Sequence, residues 1–109
     1  MPGYYELKTS GSQFMWNLKS ANHETILTSE RYTTKDGARN GIESCKTNSA
    51  LDTRYERKTS AAGQPYFVLR GANYEVIGTS ESYSSTWARD NGIATCKATG
   101  PTAATADRT

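Results

Sequence analysis

The stretch Ala-Asn-His-Glu-Thr-Ile-Leu-Thr-Ser-Glu-Arg-Tyr, residues 21–32, recurs as Ala-Asn-Tyr-Glu-Val-Ile-Gly-Thr-Ser-Glu-Ser-Tyr at residues 72–83. Asn-Gly-Ile and then Cys-Lys follow each copy at the same distance. An ungapped comparison of residues 13–46 with 64–97 gives about fifteen identities in about 34 positions, which is well above chance for an internal repeat. The chain is therefore a tandem duplication.

The length of 109 residues suits one domain, residues 1–109, made of two repeats at 4–54 and 55–109. A repeat of about fifty residues would be marginally stable alone, because so short a chain buries too little surface. The two repeats are therefore expected to share one core, each burying its apolar face against the other.

Alternating and helical spacing of apolar residues predicts three strands and a helix in each repeat. The predicted strands are Tyr4–Lys8, Phe14–Lys19, Thr25–Ser29, Asp52–Lys58, Tyr66–Arg70 and Glu75–Ser80. The predicted helices run from Lys35 to Thr47 and from Thr86 to Thr99, with Thr34 and Ser85 as N-caps. Two such units define an α+β fold with both helices on one face of an antiparallel sheet. The tail from 102 to 109 is either disordered or a last strand.

Asn40-Gly41 is typical of a β-hairpin turn, yet it falls inside the first predicted helix. Ala38, Ile42 and Cys45 keep helical spacing through it, and no alternating apolar runs flank it. A glycine on the apolar stripe, repeated as Gly92, is better explained as allowing the helix to lie close to the sheet.

Five segments match a family pattern, namely Tyr5-Glu6-Leu7, residues 24–30, residues 32–42, residues 55–59 and Ile77-Gly78-Thr79-Ser80. In these segments the chain resembles the bacterial YegP-like family in its duplicated form. The resemblance implies tandem β-β-β-α-β units that form a single antiparallel sheet, with two helices packed on one face and exchanged C-terminal strands. On that pattern the exchanged strands are Asp52 to Arg54 and about Ala103 to Arg108. The family has no established activity, so no functional residue is carried over.

The composition is that of a globular chain close to neutral charge. The net charge is +2, with 35% hydrophobic and 22% charged residues, which indicates neither disorder nor a dominant electrostatic partner. No apolar run approaches the roughly 18 residues that a membrane span needs, and Met1 to Tyr4 does not begin a signal peptide. We therefore expect a cytoplasmic protein.

The two cysteines, Cys45 and Cys96, occupy equivalent helical positions and match no metal or redox motif. Buried thiols are favoured, with a disulfide between the two helices as the alternative. Neither a metal site nor a cofactor is predicted, because the carboxylates and the one histidine do not cluster and the glycines fit no phosphate-binding loop.

Residues that could carry catalysis are few. His23 is predicted in an exposed turn, where the second repeat has Tyr74. Glu24 with Glu75, and Glu30 with Glu81, are duplicated carboxylates that could oppose each other across a pseudo-twofold axis. The hydroxyls of Thr28-Ser29 and Thr79-Ser80 lack an accompanying base, so packing and hydrogen bonding are their expected roles. No catalytic residue is therefore assigned.

The sheet face opposite the helices is the remaining candidate. Alternation places there Lys8, Met15, Asn17, Lys19, Lys58, Tyr66, Val68 and Arg70, together with Glu6 and Glu56. Lys19, Tyr66 and Arg70 are the predicted binding residues. The repeats also differ on this face, at Met15 against Tyr66 and Asn17 against Val68.

We therefore predict a non-enzymatic, monomeric binding or accessory protein that acts through this face on a protein partner. A weak single-stranded nucleic-acid-binding module is the alternative, because basic groups interleaved with Tyr and Met can stack bases. The low net charge and the two glutamates count against it. A small enzyme using the strand-end carboxylates is a third hypothesis, which requires a pocket that collects them.

Overall fold

A computed structural model of the chain describes residues 3–109. The strands in that range are β1 (Tyr4–Ser10), β2 (Gln13–Lys19), β3 (Thr25–Ser29), β4 (Tyr55–Thr59), β5 (Pro65–Arg70), β6 (Val76–Thr79) and β7 (Ala104–Asp107). The helices are α1 (Lys35–Asn48) and α2 (Thr86–Thr99), with a short 3₁₀ helix at Asp52–Arg54. The prediction of no signal peptide at Met1 to Tyr4 involves Met1 and Pro2, which lie outside the described residues.

All seven strands of the described range form one sheet in the order β4-β5-β6-β3-β2-β1-β7. The two repeats meet at the centre, where β3 pairs antiparallel with β6. β7 runs parallel to β1, so the sheet is mixed and the prediction of a wholly antiparallel sheet is wrong at this edge. The predicted α+β class, with its two tandem repeats, is confirmed.

The predicted exchange of terminal strands is confirmed for the second repeat and wrong for the first. Residues 104–107 of the second repeat lie beside the first repeat's β1. Asp52–Arg54, predicted as the other exchanged strand, forms a 3₁₀ turn instead. The turn is held at both ends, because Arg54 Nε donates to Asn48 Oδ1 at 2.9 Å and Lys97 Nζ donates to Asp52 Oδ1.

The core lies between the sheet and the two helices. Its largest fully buried side chains are Trp16, Tyr5, Phe67, Leu7, Leu18, Leu27, Ile42, Leu69 and Ile93. Tyr5 donates to the Gly100 carbonyl at 2.7 Å, and Tyr55 donates to the Ser49 carbonyl at 2.6 Å. Each first-strand tyrosine thus satisfies a carbonyl at the end of the other repeat's helix, which ties the two repeats together.

The helix starts follow the predicted capping chemistry. Thr34 Oγ1 accepts from the Gly37 amide, and Ser85 Oγ accepts from the Ala88 amide. A β-carbon at Gly41 would collide with the Tyr32 hydroxyl, and one at Gly92 would collide with that of Tyr83. Asn40-Gly41 therefore lies within a helix, and glycine at this position permits the close approach that the sequence predicted.

Candidate functional site

The open face of the sheet carries a row of side chains that crosses six strands without a break. Glu6 of β1 pairs with Asn17 of β2, Asn17 with Thr28 of β3, and Thr28 with Thr79 of β6. The row continues from Thr79 to Val68 of β5 and ends at Glu56 of β4. Because side chains one residue apart point to opposite faces of a strand, these six residues share the face that lacks helices.

The middle of this row is closely packed although no helix covers it. Asn17 and Val68 are each only 6% exposed. The Asn17 side-chain amide donates to Thr28 Oγ1 at 2.9 Å, which satisfies a polar group that the neighbouring side chains screen from water. The centre of the open face is therefore a neutral floor, defined as Asn17, Thr28, Thr79 and Val68.

Charged residues surround the neutral floor. Within residues 3–109 they comprise five basic side chains, Lys8, Lys19, Lys58, Arg70 and Arg108, and the carboxylates Glu6 and Glu56. Glu6 lies 3.6 Å from Lys8 Nζ and 3.4 Å from Arg108 Nε, while Glu56 lies 2.9 Å from Arg70 Nη2 and 4.0 Å from Lys58 Nζ. The hydrogen bond from Arg70 holds the pKa of Glu56 below its usual range. Both carboxylates are thus neutralised, and the rim of the face is positive.

Arg70, one of the predicted binding residues, is committed to its neighbours. Its guanidinium donates to Glu56 Oε1 and to the Tyr74 carbonyl, and it stacks on the Tyr74 ring at 4.4 Å from the centroid. Its side chain is only 19% exposed. Arg70 therefore holds the β4–β5 edge together and has few donors left for a ligand.

Lys19 and Tyr66 are more available. Lys19 Nζ donates to Thr25 Oγ1 at 2.9 Å and has no carboxylate within ion-pair distance among the described residues. Tyr66 is half-buried on β5 opposite Lys58. The strand directions place Lys19 and Tyr66 at the same end of the open face, three strand spacings or roughly 14 Å apart. They flank the neutral floor instead of meeting at one point.

Two open-face residues escaped the sequence analysis. Tyr4 pairs with Lys19 on this face, and its hydroxyl lies 2.9 Å from His23 Nδ1. Arg108 reaches the face only because β7 docks beside β1. The alternation of Tyr4 with Glu6 along β1 could have placed Tyr4 on the open face. Nothing in the sequence of the C-terminal tail indicates which strand the tail pairs with.

The strand-end carboxylates group differently from the prediction. Glu24 lines a recess of about 620 Å³ together with Glu81, Ser82 and Tyr83, rather than opposing Glu75. Burial raises the pKa of Tyr83, and Glu81 and Glu24 are among the further causes. Burial also raises the pKa of Tyr32, where Glu30 and Glu75 are among the further causes. Each pair thus surrounds a tyrosine. Glu24 and Glu81 are both exposed, and His23 does not line the recess.

The remaining predicted groups have structural environments. His23 lies in an exposed turn, with a φ of 68°, and Tyr74 has the equivalent φ of 69°. Ser29 Oγ accepts from the Trp16 amide and Ser80 Oγ from the Phe67 amide, which confirms a hydrogen-bonding role for these hydroxyls. Cys45 and Cys96 are buried free thiols, and burial raises their pKa values to about 12 and about 11.

No group of three or more His, Cys, Asp or Glu side chains suited to a metal ion occurs in the described part of the chain. Neither helix within residues 3–109 has the length and hydropathy that crossing a membrane would require.

Fold and surface together define a class, a duplicated α+β protein with both helices on one sheet face and the other face open. The model of a family described as a domain of unknown function, DUF1508, matches residues 10–56 and again 60–107. The chain belongs to this family. Proteins similar to the chain include the UPF0339 proteins and YegP.

Relatives match over nearly their whole length. The UPF0339 protein of Bordetella pertussis is 53% identical over 109 residues, covering 100% of this chain and 98% of the relative. YegP of Escherichia coli K12 is 46% identical over 110 residues, covering 100% of both chains. The recognition from sequence of a YegP-like, tandem-repeat bacterial family is therefore confirmed.

Two solution NMR structures share the fold. The UPF0339 protein of Shewanella oneidensis superposes with a TM-score of 0.90 at 52% identity, covering 98% of this chain and 92% of that one. The E. coli protein yegP superposes with a TM-score of 0.92 at 46% identity, covering 99% and 94%. The latter is described as a protein of unknown function, so these similarities establish family and fold but assign no activity.

Proposed function

We propose that this protein is a non-catalytic binding module that holds an acidic, extended segment of a partner protein on the open face of its sheet. The observation that carries the proposal is the neutral floor with its positive rim. Asn17 and Val68 are nearly buried, five basic side chains of the described chain surround them, and both nearby carboxylates are already neutralised. Such a surface favours a ligand that brings its own carboxylates.

A protein segment fits this face better than single-stranded nucleic acid. Proteins that bind single strands stack successive bases on aromatic side chains. Tyr4 and Tyr66 lie on strands four positions apart in the sheet order, or about 19 Å at roughly 4.8 Å per strand. That separation is too wide for neighbouring bases, and the Tyr4 hydroxyl is engaged by His23.

The proposal is tested by NMR titration of the isotope-labelled protein with a decaglutamate peptide at low salt. We expect shifts at Met15, Asn17, Lys19 and Tyr66 that diminish as salt is added, since exposed charges are screened. Lys19→Ala should weaken binding by up to about fivefold, because an exposed ion pair contributes roughly 0.2–1 kcal/mol.

Lys46→Ala is the matched control, because Lys46 is a partly exposed lysine on the helix side, paired with Glu43. It should leave the peptide affinity unchanged. A parallel titration uses a twelve-nucleotide oligothymidine. Open-face shifts with the oligonucleotide alone would replace the protein-partner proposal by nucleic-acid binding, and the absence of open-face shifts with either probe would overturn both.

A lysate experiment then searches for the physiological partner. The native chain and a Lys19→Ala/Tyr66→Ala double variant are used as matched baits. A partner of this face should be captured by the native chain, lost with the double variant and enriched in acidic segments. Equal capture by both baits would count against the open face.

A further inference from the structure

The C-terminal strand β7 is bound to the sheet by few apolar contacts. Ala104, Thr105 and Asp107 are exposed, Ala106 is half-buried, and Ala103, just before the strand, is 4% exposed. The Arg108 amide donates to the Leu7 carbonyl at 2.8 Å, continuing a parallel ladder. A strand held mainly by backbone hydrogen bonds and small side chains belongs to the least stable part of a fold.

A pair of cations on α1 fixes this strand through one carboxylate. Lys35 Nζ lies 2.7 Å from Asp107 Oδ2, and Arg39 Nη2 lies 3.1 Å from the same atom. The hydrogen bond from Lys35 holds the pKa of Asp107 well below its usual range. Lys35 and Arg39 therefore form a carboxylate clamp that holds Asp107.

The space between β7 and α1 is incompletely filled. A recess of about 300 Å³ opens there, lined by Arg39, Asn40, Ile42, Glu43, Thr105 and Asp107. Thr105 lines this recess from the strand, and Asp107, two residues later, lies on the same side. A larger apolar side chain at position 105 would gain contact with the recess while leaving the backbone ladder unchanged.

We propose that the outer edge of β1 is a strand-addition site, that β7 is its displaceable internal occupant, and that the external ligand is an extended protein segment running parallel to β1. The segment carries an aliphatic residue for the recess and, two residues later, an aspartate for the clamp. Main-chain hydrogen bonds give affinity in this mode of recognition, and the alternate side chains give specificity.

The tether gives β7 a large advantage, because a short linker produces a millimolar effective concentration. The test therefore weakens the internal occupant. Asp107→Lys in the full chain places a third cation beside the clamp, and a synthetic peptide of residues 101–109 carrying Thr105→Leu is added in trans. We expect amide shifts at Tyr5, Leu7, Lys35 and Arg39, with binding at least tenfold tighter than to the native chain.

Charge reversal supplies the matched control. Lys35→Glu and Arg39→Glu, added to Asp107→Lys, restore attraction between the chain's own tail and α1, so the peptide should no longer bind. A peptide that also carries Asp107→Lys should not bind the single variant. Absence of shifts at β1 and α1 in the single variant, or binding that is insensitive to the peptide's aspartate, would overturn the proposal.

Hydrogen exchange on the native chain provides a second measurement that needs no variant. The Arg108 amide should exchange by local opening, well before the amides of β2. If Arg108 instead exchanges only together with the central strands, β7 does not leave β1 and the proposal fails.

Discussion

The two outer strands of the duplication, β1 and β4, are nearly identical in sequence but differ in their surroundings. Residues 5–10 read Tyr-Glu-Leu-Lys-Thr-Ser and residues 55–60 read Tyr-Glu-Arg-Lys-Thr-Ser, so they differ only at Leu7 and Arg57. β7 covers β1, whereas β4 is the outermost strand in the described sheet. Within these six residues, the edge at β1 that β7 covers, the covered edge, therefore differs at one position from the edge at β4 that is exposed to water, the free edge.

The helix residues that lie beside these two edges also differ in charge between the repeats. Arg39 of α1, which helps to bind Asp107, is replaced by Asp90 at the equivalent position of α2. Arg57 Nε lies 3.2 Å from Asp90 Oδ1, so the charge that replaces Leu7 has a partner on the helix. An inward-pointing charge is a known protection of edge strands against association, and an aspartate here would repel the carboxylate of a β7-like strand.

The largest effect on stability is expected when Leu7 of the covered edge is replaced by arginine, the residue at the equivalent position 57 of the free edge. Leu7 is fully buried, and Lys35 and Arg39 lie on the helix above this edge. Leu7→Arg should lower the free energy of unfolding by about 3–5 kcal/mol, because it removes a core side chain and buries a charge among like charges. Urea denaturation measures this, and a loss below about 1 kcal/mol would show that β7 does not seal the edge.

A smaller effect tests what the two edges share. Tyr5 and Tyr55 each donate to a carbonyl at the end of the other repeat's helix, and they are 0% and 8% exposed. Tyr5→Phe and Tyr55→Phe should each cost about 1–2 kcal/mol, since each leaves a carbonyl without its donor. Urea midpoints measure both. If only one of the two variants is destabilised, the hydrogen bonds do not tie the repeats together equally.

The free edge can be altered in the opposite direction with little effect on stability. Arg57→Leu removes the inward charge, and because the side chain is exposed the free energy of unfolding should change by only about 0.5 kcal/mol. The uncovered strand should then pair with other chains, so that the apparent mass rises with concentration in sedimentation velocity. Arg57→Lys, which keeps a positive charge at the same position, is the control and should stay monomeric. A monomer at every concentration would show that Arg57 does not protect the edge.

Most of the fold could be predicted because its signals are local. The alternation in Phe14–Lys19, the caps Thr34 and Ser85 and the repeated glycines each report on a few neighbouring residues. The position of β7 depends on residues about a hundred positions away in sequence, such as Glu6 and Leu7. The 3₁₀ turn at Asp52–Arg54 likewise has a distant partner, because Lys97, which donates to Asp52, lies 45 positions away in sequence.

The candidate site was predictable only in part, for the same reason. Alternation placed Lys19, Tyr66 and Arg70 on the open face, but it could not show that Arg70 is bound by Glu56 and Tyr74. Nor could it pair Glu24 with Glu81, since that pairing follows from how the two repeats join at β3 and β6. Contacts between the repeats depend on how the two halves pair in the sheet, and this pairing cannot be read from the sequence of either repeat alone.

The smallest effect is a response of the covered edge to acid. The Lys35 ammonium lowers the folded-state pKa of Asp107, so the contribution of this carboxylate is fully present above the unfolded value of about 3.9 and is lost as pH falls through the lowered folded value. NMR titration of the Asp107 carboxyl carbon and the Arg108 amide should show β7 loosening below pH 4 while β2 and β3 stay paired. Lys35→Ala should move the Asp107 pKa upward and start the loosening at higher pH. An Asp107 that titrates identically in both chains would mean that Lys35 does not hold β7 on the covered edge.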